Sequence, residues 1–418
     1  MEKPDESAEQ MQAAWEAWCD TLRDAPRLLF EHGLAQQPPD SSGPDPSDDR
    51  RGLALDPRRL AEGYRYLARL TAMALERGFE GGDADHPRLL FSQGPARKIG
   101  GDCPDAIYRD CAIDGRGRYR LHGRRGNAAS ISLSVNRNPI AAAQGKPAVV
   151  ASLTTDEIDF ESDGRFEILL GGEPRKRNWC PLASDASRLI VRQFFGDRED
   201  PEPARLLIER LDAPSGIPAP LGAQDVTSAL GLARAFLGYI PGFWADEYAR
   251  VASRPNLLTA LSPEHQERVQ ALPGGIPFWG HYRLAADEAL LIEVTPPDCA
   301  YWSLLCGTPW FESPDNRHHP ASLDMDQAEL DTEGRLHAIV CARDPGFPNW
   351  LDTAGYAEGF LLLRWLETES APEPRCRVLP LDELASALPA ETRRVTAEER
   401  ARERAHRRRI LDLRFQGL

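Results

Sequence analysis

Two stretches of this sequence repeat one pattern and decide the fold. The first is ESDGRFEILLGGEPRKRNWCPLASDASRLIVRQFFGDREDPEP, residues 161–203, and the second is DTEGRLHAIVCARDPGFPNWLDTAGYAEGFLLLRWLETESAPEP, residues 331–374. Both contain Gly-Arg, then Asn-Trp, and both end in Pro-Glu-Pro, at a separation of about 170 residues. A register held over that length indicates an internal duplication, with strands falling on strands and turns on turns.

The repeat extends upstream, where residues 127–133 align with residues 298–304. Residues 130–135, Ser-Ile-Ser-Leu-Ser-Val, alternate polar and apolar side chains. This alternation predicts strands with one buried and one solvated face, which is typical of antiparallel sheets. The duplication therefore predicts two tandem antiparallel β-sandwich-like modules, each burying one sheet face against the other.

Two turn motifs connect the predicted strands. The shared Asn178-Trp179 and Asn349-Trp350 predict turns in which Asn caps its own backbone and Trp closes the end of a core. Asp-Gly at residues 114–115 predicts a hairpin between two neighbouring strands.

Helices surround the modules, so the predicted class is α+β, mainly β with helical additions. We expect helices over 7–34, from Asp56-Pro57 onward, over 223–239 with Pro241 as a stop, over 265–272, and over 396–415 with its charges on a solvated face. The predicted domains are N-terminal helices in 1–100 with a flexible linker at 36–52, a first β module in 101–215, a helical insert in 216–275, a second β module in 276–382 and a C-terminal helical tail in 383–418.

Composition limits the class of partner. The net charge of -15 argues against nucleic-acid binding. The sequence contains no run of about eighteen apolar residues, so no membrane span is predicted. The polar, acidic first twelve residues do not resemble a secretory signal, so we expect a cytoplasmic protein. None of the eight cysteines forms a CxxC pair, and in that compartment they are expected to be reduced.

The second copy carries more reactive side chains than the first. Its loop is PWFESPDNRHHPAS, residues 309–322. This loop aligns with NPIAAAQGKPAVVAS of the first copy, residues 138–152, which contains a single charged residue. Carboxylates, an arginine, histidines and aromatic walls together are typical of a small-molecule pocket. We predict catalytic roles for Asp315, His318 and Asp352. We predict ligand-binding roles for Trp302, Trp310, Glu312, Arg317, His319 and Asp344.

Three functions stay open at this point. The first is an enzyme of small-molecule metabolism that uses acid/base groups of the second module. The second is a non-catalytic protein that binds a sugar-like or anionic small ligand, and the third is a structural role. The alternative interpretation of the loop residues is solvated surface. Arg364 recurs as Arg192, which favours a structural salt bridge over ligand binding.

No cofactor or metal is predicted. His318 and His319 are adjacent and would point in opposite directions on a strand. Glycine-rich dinucleotide and phosphate-binding motifs are absent from the sequence, and so is the nucleophile elbow of hydrolases.

The residues also carry a resemblance to a family. EALLIEVTPPDCAYWSLLCGTPWFESPD, LDTEGR and DPGFPNWLDTAGYAEGFLLLRW resemble the bacterial domain of unknown function 1214. EGYRYLARL and GGDCPDAIYRDCAIDGRGRYRLHGRRG resemble the long members of that family, so the resemblance covers about residues 60–380. It implies a β-sandwich fold and is compatible with a homo-oligomer, but it brings no established activity and no catalytic residues.

Overall fold

The computed structural model describes most of the chain. The described residues are 6–31, 56–137, 146–196, 200–214 and 216–416. The linker predicted at 36–52 lies outside them, and so does part of the first-copy loop at 138–152.

Three helices precede the first sheet. They are α1 (Glu6–Asp24), α2 (Arg27–Glu31) and α3 (Pro57–Phe79). The single helix predicted over 7–34 is thus interrupted, at the Ala25-Pro26 step, because proline cannot donate a backbone hydrogen bond. The start of α3 is as predicted. The Asp56 carboxylate accepts hydrogen bonds from the backbone N–H groups of Arg58 and Arg59, and Pro57 occupies the first turn.

The first module consists of nine strands in two sheets. They are β1 (Leu90–Gln93), β2 (Ala106–Ala112), β3 (Tyr119–Arg124), β4 (Ser130–Arg137), β5 (Val149–Leu153), β6 (Arg165–Leu170), β7 (Trp179–Cys180), β8 (Ala186–Phe194) and β9 (Arg205–Arg210). A five-stranded sheet has the order β1-β2-β8-β4-β5, and a four-stranded sheet has the order β7-β6-β3-β9. The apolar faces of the two sheets meet in one core.

The second module also has nine strands. They are β10 (Leu257–Ala260), β11 (Gly275–Arg283), β12 (Glu288–Val294), β13 (Tyr301–Cys306), β14 (Ser322–Asp324), β15 (Leu336–Cys341), β16 (Trp350–Asp352), β17 (Glu358–Leu366) and β18 (Arg375–Pro380). Its sheets have the orders β10-β11-β17-β13-β14 and β16-β15-β12-β18. Adding nine to every strand number of the first module reproduces the second, so the predicted duplication and the α+β class are confirmed.

The Asn-Trp turns are equivalent in the two copies. Asn178 and Asn349 both adopt the left-handed backbone conformation, with φ of 52° and 56°. Each side-chain amide forms two hydrogen bonds with the backbone of one distant residue. The Asn178 amide accepts from the Asp159 N–H at 2.7 Å and donates to the Asp159 carbonyl at 2.9 Å. The Asn349 amide accepts from the Glu329 N–H at 2.8 Å and donates to the Glu329 carbonyl at 2.7 Å. The prediction that Asn caps its own backbone was wrong, since it braces a loop about twenty residues upstream.

The predicted hairpin at Asp114 was also wrong. The turn exists, closed by a 2.8 Å hydrogen bond from the Gly117 N–H to the Asp114 carbonyl. However, β2 belongs to the five-stranded sheet and β3 to the four-stranded sheet. The turn therefore carries the chain from one layer of the sandwich to the other, and the local Asp-Gly signal does not distinguish these two uses.

Helix α4 (Ala223–Ala252) runs between the modules and continues through Pro241. The predicted stop there was wrong, because the apolar face of the helix stays buried on both sides of the proline, at Leu237 and Tyr248. A short helix, α5 (Pro263–Arg268), follows β10 and ends earlier than predicted.

The C-terminal tail is the helix α7 (Ala397–Arg414), preceded by the short α6 (Leu384–Ala387). The prediction that the charges of α7 lie on a solvated face was wrong for three arginines. Arg400, Arg407 and Arg414 are buried at intervals of seven residues, about two helical turns, so they share one face. This face fastens α7 to both modules.

The two five-stranded sheets face each other, and we call them the inner sheets. Phe194 of β8 and Tyr301 of β13 meet there, with ring centroids 5.2 Å apart. The core between the modules also takes in buried residues of α3 and α4. Among the described helices, none combines the length and the apolarity that crossing a bilayer requires.

Candidate functional site

The loop between β13 and β14 holds six of the nine predicted site residues, and the structure sends them to different places. Trp310 and Glu312 turn inward against α3, while His319 turns toward Asp352 at the end of β16. Asp315, Arg317 and His318 remain on the surface.

Trp310 enters the interior because α3 has a glycine opposite it. A Cβ atom at Gly63 would lie 2.7 Å from the Trp310 ring, closer than van der Waals contact allows. The indole stacks on Tyr66, one turn further along α3, with ring centroids 5.7 Å apart. Neither the Tyr66 hydroxyl nor the Trp310 indole N–H has a hydrogen-bond partner among the described residues.

Glu312 lies beside this aromatic pair and is only 2% exposed. One carboxylate oxygen accepts a hydrogen bond from Arg69 at 2.6 Å, and the other, Oε1, has no partner among the described residues. Burial raises the pKa of Glu312 to about 8, against the opposing effect of the Arg69 charge. Glu312 is thus a buried acid that exchanges its proton close to neutral pH.

A second layer of polar groups supports this acid. The Ser313 hydroxyl donates to Asp102 at 2.6 Å and accepts from the Lys98 ammonium at 2.9 Å and the Asn316 amide at 2.8 Å. Burial lowers the pKa of Lys98, although the charge of Asp102 opposes that shift. The Glu312 cluster is defined as Tyr66, Arg69, Lys98, Asp102, Trp310, Glu312 and Ser313.

His319 and Asp352 form a separate acid/base pair. The imidazole Nδ1 lies 2.8 Å from a carboxylate oxygen of Asp352, and the other oxygen accepts the backbone N–H of Ala354 at 2.8 Å. The Asp352 side chain is 9% exposed and that of His319 is 39% exposed. A buried carboxylate that orients a half-exposed imidazole is an arrangement suited to general base chemistry.

The surface residues of the loop interact with each other or with α7. Asp315 and His318 lie 3.9 Å apart and are both about half exposed. Arg317 forms an ion pair with Asp412 of α7 at 2.9 Å. The predicted catalytic residues Asp315 and His318 are therefore together, but Asp352 belongs to the pair with His319.

Two further predicted site residues are held by packing or ion pairing. Trp302 lies in the core of the second sandwich, 4% exposed and edge-on to Trp365 with ring centroids 5.8 Å apart. Asp344 accepts a hydrogen bond from Arg400 of α7 at 2.9 Å. Ligand-binding roles for these two residues stay predictions.

Four of the seven residues of the Glu312 cluster could not be found from the repeat, because Tyr66, Arg69, Lys98 and Asp102 precede it in the chain. One signal was present in the sequence: Lys98 is one of only four lysines among fifty basic residues. Within the described part of the chain, no three His, Cys, Asp or Glu side chains are placed to hold a metal ion.

A small cavity lies elsewhere, between α3 and β1. Its volume is about 10 Å³, enough for one water molecule, and the Arg77–Asp110 ion pair forms part of its lining. None of its lining residues belongs to the Glu312 cluster. The Arg69 side chain, 14% exposed, marks the side on which the cluster approaches solvent.

The fold defines the chain as a tandem double-sandwich protein with a buried carboxyl cluster where α3 meets the second module. The chain belongs to the family described as protein of unknown function (DUF1214), whose sequence model matches residues 108–196, in the first module. The crystal structure of an uncharacterized protein from Burkholderia cenocepacia is 33% identical, with a TM-score of 0.79, and the match covers 91% of this chain and 100% of that chain.

A second solved structure, the VPA0106 protein from Vibrio parahaemolyticus, is 10% identical with a TM-score of 0.41. That match covers 75% of this chain and 98% of the other, and it is too weak to support any argument. No curated protein matches the chain.

Proposed function

We propose that this protein is an enzyme of small-molecule metabolism in which Glu312 acts as the acid/base group. The observation that carries the proposal is the Glu312 cluster itself. Three neighbouring side chains of this cluster each carry a buried polar group that has no partner among the described residues. These groups are the Glu312 Oε1, the Tyr66 hydroxyl and the Trp310 N–H. Buried polar groups are costly to leave unpaired, so three of them on adjacent side chains favour a ligand that pairs with them.

The chemistry of the cluster suits proton transfer. A carboxyl group with a pKa of about 8 is mostly protonated at neutral pH and can donate a proton to a substrate. Arg69, 2.6 Å away, would stabilise the carboxylate that remains. Tyr66 and Trp310 can donate hydrogen bonds to a substrate oxygen. Arg69 also offers the route by which a polar substrate would enter.

The second candidate is a non-catalytic protein that binds a sugar-like or anionic ligand. It is favoured by the stacked Tyr66 and Trp310 rings, since aromatic faces with a polar edge are common in such sites. The cationic Arg69 and Lys98 flank a carboxyl group that is neutral below its raised pKa. That charge balance would accept an anion without a catalytic step.

The compartment we propose is the cytoplasm. All eight cysteines are unpaired thiols, including Cys306 and Cys341, which are buried near each other in the second module. Unpaired thiols in that number are in keeping with a reducing environment.

The test is a screen of small polar metabolites with the wild-type protein, E312Q and the control E333Q, followed by mass spectrometry. Glu333 is an exposed glutamate of the same module. The proposal expects a metabolite consumed by the wild type and E333Q but not by E312Q, with all three proteins folded and unfolding cooperatively. Turnover that survives in E312Q contradicts it. Binding without turnover, equal in wild type and E312Q, supports the second candidate instead.

A further inference from the structure

Two buried arginines occupy equivalent positions in the two modules. Arg192 lies in β8 opposite Ser132 of β4, and Arg364 lies in β17 opposite Ser303 of β13. Both are 8% exposed, on the inner sheets where the modules meet. The duplication thus brings two copies of one guanidinium into a single interface.

Neither guanidinium forms an ion pair with a carboxylate among the described residues. Arg192 donates to the Ser134 hydroxyl at 3.0 Å and to the Gln270 carbonyl at 3.4 Å. Arg364 donates to the Gly101 carbonyl at 3.5 Å, and its Nη1 has no partner among the described residues. The structural salt bridge predicted for this pair is therefore wrong, and both charges are held by neutral groups.

The two charges act on the same neighbourhood. The Arg364 guanidinium lies 5.7 Å from the Phe194 ring, two residues from Arg192 along β8. Burial raises the pKa of the Tyr108 hydroxyl, and the charges of both Arg364 and Arg192 oppose that rise. Burial also lowers the pKa of Arg192 to about 10, and the charge of Arg364 adds to that effect.

The nearby carboxylates are committed elsewhere. Asp105 pairs with Arg414 of α7 at 3.1 Å, and Asp110 pairs with Arg77 at 2.9 Å. Asp324 accepts the backbone N–H groups of the turn that follows it, at 2.9 and 3.0 Å. Neither guanidinium is therefore paired directly with an acid among the described residues, and the Asp105 and Asp110 carboxylates act on Arg364 and Arg192 only from a distance.

We propose that the interface between the modules binds one small inorganic anion at Arg364 and Arg192. A buried guanidinium N–H without a partner is unfavourable, and a guanidinium fork fits both halides and oxyanions. Arg364 Nη1 and the Ser132 hydroxyl, which also has no partner among the described residues, are the groups available to the anion. The anion would join the two modules, at a site separate from Glu312.

Thermal unfolding in four sodium salts of equal ionic strength tests the proposal, with gluconate as the bulky reference anion and chloride, phosphate and sulfate as probes. We expect at least one probe to raise the melting temperature by about 2–4 °C with a saturating dose response. R364Q and R192Q should lose this rise, and R137Q, whose arginine pairs with Asp185 at 3.0 Å, should keep it. Identical curves in all four salts, or a rise that survives in both R364Q and R192Q, overturn the proposal.

Crystals of the wild-type protein provide a test that does not depend on the folding of any variant. After soaking in bromide or in selenate, which represent the halides and the oxyanions, anomalous scattering should place one anion within hydrogen-bonding distance of Arg364. Anions found only on the surface, with none at Arg364 or Arg192, would overturn the proposal.

Discussion

Trp179 and Trp350 make the same hydrogen bond in the two halves of the chain. The indole N–H of Trp179 donates to the Gly171 carbonyl at 3.1 Å, and that of Trp350 donates to the Cys341 carbonyl at 3.0 Å. Each follows an asparagine in the left-handed conformation and begins a short strand parallel to its neighbour. In both modules, therefore, an equivalent tryptophan closes one end of the sandwich through the same hydrogen bond.

Replacement of either tryptophan by phenylalanine should destabilise the protein. Trp179→Phe and Trp350→Phe each leave a carbonyl oxygen without its donor and a gap where the larger ring was, so we expect a loss of about 1–3 kcal/mol in each. Urea unfolding measures the loss. Trp15→Phe is the control, because Trp15 is 55% exposed and should change stability by less than about 0.5 kcal/mol. Equal stability of all three variants would contradict the assigned role.

A methyl group on α3 should disturb the Glu312 cluster. Gly63→Ala places a Cβ atom 2.7 Å from the Trp310 ring, so we expect a loss of about 1–3 kcal/mol and a change in tryptophan fluorescence. Gly238→Ala in α4 is the matched control, since a Cβ atom there meets nothing within 4 Å. It should stabilise the helix by about 0.5–1 kcal/mol. A tolerated Gly63→Ala would show that Trp310 does not rely on this close approach.

Glu312 should make stability fall as the pH rises. Its folded pKa, about 8, lies above its ordinary value of 4.5, so the folded state holds a proton that the unfolded state releases in this range. The group contributes fully below about pH 4.5 and progressively less up to about pH 8. E312Q should remove a slope of up to about 1.4 kcal/mol per pH unit. If E312Q and the wild type show parallel pH profiles, the raised pKa is wrong.

His281 should have the opposite effect at lower pH. Burial lowers its pKa from 6.5 to about 4, so the unfolded state binds a proton before the folded state does. Its contribution is complete above about pH 6.5 and is lost as the pH falls toward 4, by about 3 kcal/mol in all. H281Q should flatten this acid limb of the unfolding profile. H318Q, at an exposed histidine, should leave it as in the wild type.

The arginines of α7 should differ in their importance according to burial. Arg414 donates to the Pro104 and Gly196 carbonyls at 2.7 and 2.9 Å and pairs with Asp105. Arg414→Ala leaves Asp105 buried and unpaired, so we expect a loss of about 3–5 kcal/mol in chemical denaturation. Arg408→Ala, at an exposed position of the same helix, should cost less than about 0.5 kcal/mol. Similar losses in both would show that α7 is not fastened through Arg414.

The architecture could be predicted from the sequence because the repeat and the alternation of polar and apolar residues are both carried by consecutive residues. The turn at Asp114 could not, since the same Asp-Gly signal serves a hairpin or a change of sheet. Helix α4 passes Pro241 because burial on both sides outweighs the lost hydrogen bond. Tertiary packing decided both cases.

The candidate site was predictable only in part, and for a similar reason. Trp310, Glu312, His319 and Asp352 were each selected from the sequence because the second copy differs from the first at those positions, but the pairing of His319 with Asp352 was not predicted. Tyr66 and Lys98 lie outside the repeat, so comparison of the copies could not reveal them. The sequence places Asp315 only three residues from Glu312, but the loop buries one carboxylate and leaves the other exposed.

Infrared difference spectroscopy tests the central claim most directly, because it observes the Glu312 carboxyl group without any need to know the substrate. We predict that the wild-type protein at neutral pH shows a protonated-carboxyl band that is absent from E312Q and present in E333Q. This band should disappear as the pH passes about 8. A wild-type spectrum without that band at neutral pH, or one that E312Q reproduces, would contradict Glu312 as the acid/base group.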